Sequence, residues 1–203
     1  MRIIVTGANG FAGREVVLAA LRRGHDVYAL GGSKAAVVPD LKRSSTLDLL
    51  DVAAVQGLML EEFPQAVINC AALATIDGCD RDPARAEALN VDLPRRLAQL
   101  SFHVGAKLIH LSTDMVFDGA AGRYANTATP APLHLYGRTK AAGEVEVQIH
   151  SPGHSWARLV VDVHRREHLL HDLGRLARSE PRQARRDRGH GGGRGFRLER
   201  LVA

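Results

Sequence analysis

The chain has 203 residues, of which 45% are hydrophobic and 24% charged, and its formal net charge is +5. That is enough apolar material for one domain with a substantial core. No secretory signal opens it, no apolar run is long enough to span a bilayer, and Cys70 and Cys79 are its only cysteines, so a transmembrane or disulfide-stapled protein is excluded. A soluble, cytoplasmic protein of a reducing compartment is expected.

The first segment, Arg2-Ile3-Ile4-Val5, reads as a buried strand. It is followed by Thr6-Gly7-Ala8-Asn9-Gly10-Phe11-Ala12-Gly13 and then by Arg14 to Arg23, whose Val16, Val17, Ala20 and Leu21 form a helical stripe. Strand, glycine turn and helix in this order let backbone N–H groups and a helix N-terminus hold a pyrophosphate. Gly7, Asn9, Gly10, Phe11 and Gly13 are therefore candidate dinucleotide contacts. The glycines are spaced by three, whereas the common dinucleotide fingerprint places its first two glycines two apart.

His25 to Leu30 reads as the second strand, and Gly31-Gly32-Ser33-Lys34 follows it. No carboxylate stands there to repel a 2′-phosphate, and Ser33 and Lys34 are placed to hold one, which favours NADPH with NADH as the alternative. Leu47-Asp48-Leu49 reads as a short third strand, with Asp48 expected to border the adenine and Leu49 a further candidate cofactor contact, and Ala53 to Glu62 as a helix. Ala66 to Cys70 is the fourth strand, and Ala71 and Ala72 at its end are further candidate cofactor contacts. Asp82 to Phe102 reads as one helix and Lys107 to Ser112 as the fifth strand. Repeated βα units of this length imply an α/β fold, a doubly wound parallel sheet with its ligand at the strand C-termini. Cys70 is expected to be a small buried side chain and Cys79 an inert thiol, since no Cys/His cluster completes a metal site. His110 and His134 have no ligand-spaced neighbours, so packing or surface roles are expected.

Tyr136 and Lys140 form a Tyr-x-x-x-Lys pair, one turn apart on one helix face. A lysine ammonium so placed is expected to lower the phenol's pKa, and a phenol so tuned can pass a proton to a carbonyl while hydride arrives from a nicotinamide. Thr113 follows the last residues of the fifth strand, where its hydroxyl can point into the crevice above the sheet. Thr113, Tyr136 and Lys140 are the candidate catalytic set, and Tyr136 and Lys140 are also candidate cofactor contacts.

Val67-Ile68-Asn69-Cys70-Ala71-Ala72, Asp77-Gly78-Cys79-Asp80, Asn90-Val91, Ser112-Thr113-Asp114-Met115-Val116-Phe117-Asp118-Gly119 and Pro132 to Glu144 together resemble the dTDP-4-dehydrorhamnose reductase family of extended short-chain dehydrogenases/reductases. The resemblance covers roughly residues 1–150. It implies a Rossmann-type fold and reduction of a 4-keto-6-deoxy nucleotide sugar, with a homodimer left open. From the family, Thr113 would orient the substrate carbonyl, Tyr136 would donate the proton, and Lys140 would bind the nicotinamide ribose and tune Tyr136. The same fold resembles the regulatory subunit of methionine adenosyltransferase, which makes a non-catalytic dinucleotide-binding subunit the alternative.

The division expected is a dinucleotide-binding and catalytic domain over 1–156 and an irregular Arg/Gly-rich tail over 157–203. That tail holds twelve Arg, no Lys and six acids, so the chain's basic character belongs to it. Such composition ordinarily suggests nucleic acid or an anionic surface. A reading-frame change accounts for it differently. Val160 to His168 can be encoded so that reading one base later gives Ser-Trp-Met-Phe-Thr-Gly-Glu-Asn, which resembles the family's next strand. Ala184 to Gly189 gives Leu-Asp-Val-Ile-Glu in the same shifted frame. On that reading the charge says nothing about partners, nucleic acid is not expected, and the groups that grip the nucleotide sugar are missing.

Overall fold

The computed structural model describes residues 1–121, 124–125, 128–150 and 155–159. Six strands form one sheet in the order β3-β2-β1-β4-β5-β6, and every neighbouring pair is parallel. These are β1 (Arg2–Thr6), β2 (Asp26–Gly31), β3 (Arg43–Thr46), β4 (Ala66–Asn69), β5 (Lys107–Thr113) and β6 (Ser155–Leu159). The order reverses between β1 and β4, and such a switch point opens a crevice at the strand C-termini.

Helices cover both faces of the sheet. α1 (Phe11–Arg22) buries Val16, Val17 and Ala20 against Ile3, Val5, Val27 and Ile68. On the other face, Met59 of α2 (Val52–Glu62), Leu93 and Leu97 of α5 (Leu93–Val104) and Val147 of α6 (Leu135–His150) pack with Ile4, Val67 and Leu108. Ile4, Val67 and Leu108 are 2% exposed or less. Each such side chain contributes roughly 1.5–3 kcal/mol through burial. Their unbroken apolar runs are what strands covered on both faces require.

Local chemistry sets the helix boundaries. Asp51 caps α2 by accepting from the Ala54 N–H at 3.0 Å. Thr75 caps α3 (Ile76–Arg81) and Asp82 caps α4 (Pro83–Glu87), accepting from Gly78 and Arg85 at 3.1 and 3.0 Å. Gly105, with φ 71°, ends α5 in the left-handed conformation.

Two expectations are corrected. The third strand is Arg43–Thr46, ahead of the expected Leu47-Asp48-Leu49. Its anchor is polar: Arg43 donates to Glu62 at 2.5 Å, lies 3.6 Å from the Asp26 carboxylate and stacks over the Tyr28 ring at 4.8 Å. A strand held by its side-chain ends carries no apolar alternation to read. The single helix expected over Asp82 to Phe102 is α4, a wider π-turn over Ala88–Asp92, and α5. Pro94 has no N–H to continue the ladder, and the turn before it widens.

β6 pairs with β5 from Ile109↔Ser155 to Thr113↔Leu159, so the sheet crosses the division expected at residue 156. Beyond Leu159 the tail lies outside the described residues.

α6 approaches the π-turn through Gly143, where an added Cβ would lie 2.2 Å from the Asn90 carbonyl oxygen. In an open helix Gly→Ala stabilises by about 1 kcal/mol. At this contact the clash dominates, so Gly143→Ala is expected to destabilise by about 1–3 kcal/mol in urea unfolding. A stability gain would show that α6 does not sit on the turn this closely.

Candidate active site

The glycine loop is shaped by backbone contacts that no side chain could share. Gly7 has φ 64°, and a Cβ on it would lie 2.7 Å from the Ala71 nitrogen. A Cβ on Gly13 would lie 2.1 Å from the Gly7 carbonyl oxygen. These two glycines let α1 start directly over the β1 and β4 ends. Gly10 differs, since its Cβ would meet only the Gly7 carbonyl, at 3.2 Å. It is the N-cap of α1 and supplies no side-chain cap, so the first N–H groups of the helix point out of the loop. That arrangement fits a pyrophosphate.

The other predicted cofactor contacts surround this loop. Asn9 donates to the Lys34 carbonyl at 2.6 Å and ties the loop to the segment after β2. Ser33 and Lys34 are exposed, as is Phe11, and Leu49 is buried. Asp48 is exposed and accepts from the Leu50 N–H at 3.0 Å. Ala71 and Ala72 follow β4 and are half-buried.

Thr113 ends β5 and caps a short 3₁₀ turn over Asp114–Val116, accepting from the Met115 N–H at 3.3 Å. Tyr136 lies in the first turn of α6, with its phenol beside the Thr113 side chain. Gly137 admits this approach, because a Cβ there would lie 2.2 Å from the Met115 carbonyl oxygen. Lys140, one turn on, is 2% exposed.

The expected tuning of the phenol by the lysine is corrected. Burial raises the Tyr136 pKa above its ordinary value, and the Thr113 side chain beside it only partly opposes this. The Lys140 amine is turned to β5, 2.5 Å from the Leu111 carbonyl oxygen and 3.2 Å from His110 Nε2. Burial brings its own pKa down to about 8, against the pull of Glu144.

Two participants were not legible as such. His110 is fully buried, and its Nδ1 lies 3.0 Å from Asn69 Nδ2. An isolated histidine in an apolar strand reads as packing, and only the β4–β5 register, which sets Asn69 opposite His110, reveals the contact. Asn90 is fully buried in the π-turn. Its side chain accepts from the Leu73 N–H at 2.9 Å and donates to the Leu73 carbonyl and to Thr139 Oγ1. It thereby joins the segment after β4 to the helix carrying Tyr136. Two sequence signals pointed to it: its place inside an apolar helical pattern and the Asn90-Val91 pair of the family resemblance.

The cysteines are inert. Burial pushes the Cys70 thiol up to about 12, and the buried Cys79 thiol donates to the Leu73 carbonyl at 3.3 Å. His134 is exposed, and the described residues hold no group of three metal-ligating side chains. No helix among them is long and apolar enough to cross a membrane.

A switch-point crevice flanked by a glycine loop and a Thr-Tyr-Lys set defines a Rossmann-type dinucleotide-binding protein of the short-chain dehydrogenase/reductase kind. More particularly, residues 1–182 match the family described as the RmlD substrate binding domain, and the chain belongs to that dTDP-4-dehydrorhamnose reductase family. It is 43% identical over 144 residues to the dTDP-4-dehydrorhamnose reductase of Streptomyces griseus, a match covering 70% of this chain and 43% of that protein. It is 38% identical to the methionine adenosyltransferase 2 subunit beta of Xenopus laevis, covering 79% of this chain and 46% of that one. A solved dTDP-4-dehydrorhamnose reductase of Bacillus anthracis in complex with NADP superposes with a TM-score of 0.66 at 32% identity, over 77% of this chain and 52% of that chain. The chain thus spans about half the length of the relatives it matches.

His110 sets a pH dependence. Burial and the neighbouring Lys140 hold its pKa well below 6.5, so the unfolded chain binds a proton there that the folded chain refuses. Its stabilising contribution is complete above the unfolded value near 6.5 and is lost as pH falls from there towards the folded value, at up to about 1.4 kcal/mol per pH unit. His110→Gln should remove that component when urea unfolding is compared between about pH 7 and about pH 5. Equal slopes in the two proteins would mean that His110 titrates normally in the fold.

Proposed function

We propose that this chain is the cofactor-binding and catalytic half of an NADPH-dependent reductase acting on a 4-keto-6-deoxy nucleotide sugar of the dTDP-4-dehydrorhamnose type. The observation that carries the reading is the placing of Thr113, at the end of β5, beside Tyr136 in the first turn of α6, with Lys140 one turn along the same helix. NADPH, when bound, supplies hydride. Gly7, Gly10, Gly13 and the start of α1 hold its pyrophosphate, while Ser33 and Lys34 receive the 2′-phosphate. Asn9, Phe11, Asp48, Leu49, Ala71 and Ala72 complete the groove, and Lys140 reaches the nicotinamide ribose. Thr113 orients the sugar carbonyl and Tyr136 donates the proton to its oxygen. The NADP complex of the Bacillus anthracis relative supports the cofactor, with NADH as the alternative.

The buried, raised phenol suits an acid that gives up its proton only as alkoxide charge develops. A second reading, a dinucleotide-binding regulatory subunit, has support in the Xenopus laevis relative. The complete Thr113, Tyr136 and Lys140 set favours the enzyme.

Residues 157–203 are read as the product of a changed reading frame, so they do not supply the family's substrate-gripping groups. Binding energy from remote parts of a substrate positions its reacting carbon. Cofactor binding without appreciable turnover is the consequence. Resequencing the gene tests this: a base inserted or deleted near codons 150–160, with a family-like continuation in the other frame, is expected, and an intact frame contradicts it.

Gly10 is the loop position at which a side chain obstructs a ligand with least damage to the fold. By calorimetry, Gly10→Val should remain folded and lose NADPH binding, and the unaltered chain should bind NADPH more tightly than NADH. Unchanged affinity in Gly10→Val removes the loop from its role, and tighter NADH binding removes Ser33 and Lys34 from theirs. In a chain given the family's C-terminal region, Tyr136→Phe should lower turnover by about 10²–10⁴ with cofactor affinity nearly unchanged. Normal turnover would dismiss Tyr136 as the proton donor.

A further inference from the structure

Thr6, Asn69 and His110 face one another across adjacent strands, since Thr6 pairs with Asn69 and Asn69 with His110. All three are buried, as is Lys140. The bonds of this row take their direction from one end. The Ala71 backbone N–H, which can only donate, points at Asn69 Oδ1 at 3.2 Å and at Thr6 Oγ1 at 3.4 Å. Thr6 Oγ1 donates to Asn69 Oδ1 at 2.6 Å. Asn69 Nδ2 must then be the group facing His110 Nδ1, at 3.0 Å, and it can only donate. Nδ1 accepts, so the ring's single proton is on Nε2. That Nε2–H points at Lys140 Nζ, 3.2 Å away. An ammonium has no lone pair to receive it, whereas a neutral amine has one and keeps hydrogens to donate to the Leu111 carbonyl.

We propose that His110 is a positioning residue for Lys140: held by Asn69 with its proton on Nε2, it turns the amine to β5, away from Tyr136, and favours its neutral form. When Nζ takes a proton from solvent, the ring keeps one proton but must move it from Nε2 to Nδ1, and the Asn69 bond is lost. Asn69 also orders the Ala71 N–H, against which Gly7 packs, so the charge of Lys140 and the order of the glycine cradle are linked. The groups facing the amine are His110 and Leu111 from β5, Cys70 at the end of β4, and Glu144 from α6. Glu144 favours the ammonium, burial opposes it more strongly, and the Cys70 thiol stays protonated. The part given to Lys140 in catalysis rests on the reductase reading, but the tautomer of His110 does not.

The test uses the full, ligand-free chain labelled with ¹⁵N. Long-range ¹H–¹⁵N spectra report the His110 tautomer, and the Nζ shift reports the charge of Lys140, between about pH 6 and about pH 10. On the alkaline side the ring should carry its proton on Nε2 beside a free amine. As Lys140 gains its proton, the ring should convert to the Nδ1–H form with the same midpoint. A ring that keeps one tautomer throughout, or becomes imidazolium as Lys140 charges, overturns the proposal. Asn69→Asp replaces the donor by a carboxylate and should hold the ring in the Nδ1–H form even at the alkaline end; an Nε2–H ring in that variant equally overturns it. If Asn69→Asp does not fold, the titration of the unaltered chain decides alone. Failure to bind NADPH would sink the reductase reading and leave these spectra unchanged.

Discussion

A parallel sheet covered on both faces holds polar side chains only where they find partners. In this chain Thr6, Asn69 and Thr113 end β1, β4 and β5, and His110 lies within β5 beside Asn69, each buried. Buried polar groups cost free energy unless they find partners, and removing one partner costs about 1–3 kcal/mol for the group left behind. The row meets this demand internally, from the Ala71 N–H through Asn69 and His110 to Lys140. The same bonds that stabilise the strand ends thus orient the lysine and the start of the crevice.

Close backbone approach is the companion constraint. α1 lies over β1 because neither Gly7 nor Gly13 has a side chain, and α6 reaches the 3₁₀ turn after β5 because Gly137 has none. The first contact builds the glycine loop and the second brings Tyr136 to Thr113. Positioning by backbone is rigid, so the two halves of the site are set by the packing of α1 and α6 on one sheet. What moves the phenol's pKa is burial, and in the ligand-free protein the lysine is engaged elsewhere.

Much of this was legible from residues alone. Ile3-Ile4-Val5, Val67-Ile68 and Leu108-Ile109 are apolar without interruption, which marks strands covered on two sides, and glycines three apart after the first of them mark the loop. β3 was misplaced by a few residues because Arg43 is held through Glu62, Asp26 and Tyr28, contacts between distant segments that leave no local pattern. The π-turn was hidden because Ala88 to Asp92 keeps helical periodicity and only Pro94 and the Asn90 side chain expose it. His110 was read as packing because its partners come from another strand and another helix. Adjacency across a sheet is a property of register, and register does not show in any one segment.

The central claim is that the crevice between the glycine loop and the Thr113–Tyr136 pair receives a dinucleotide with its nicotinamide end at Tyr136. A crystal structure of the chain soaked with NADP⁺ tests it most directly. The account predicts the pyrophosphate on the α1 N-terminus, the nicotinamide ribose hydroxyls within hydrogen-bonding distance of Tyr136 and Lys140, and the Lys140 amine moved off the Leu111 carbonyl. A dinucleotide bound elsewhere, or none at saturating concentration with the loop intact, would contradict it.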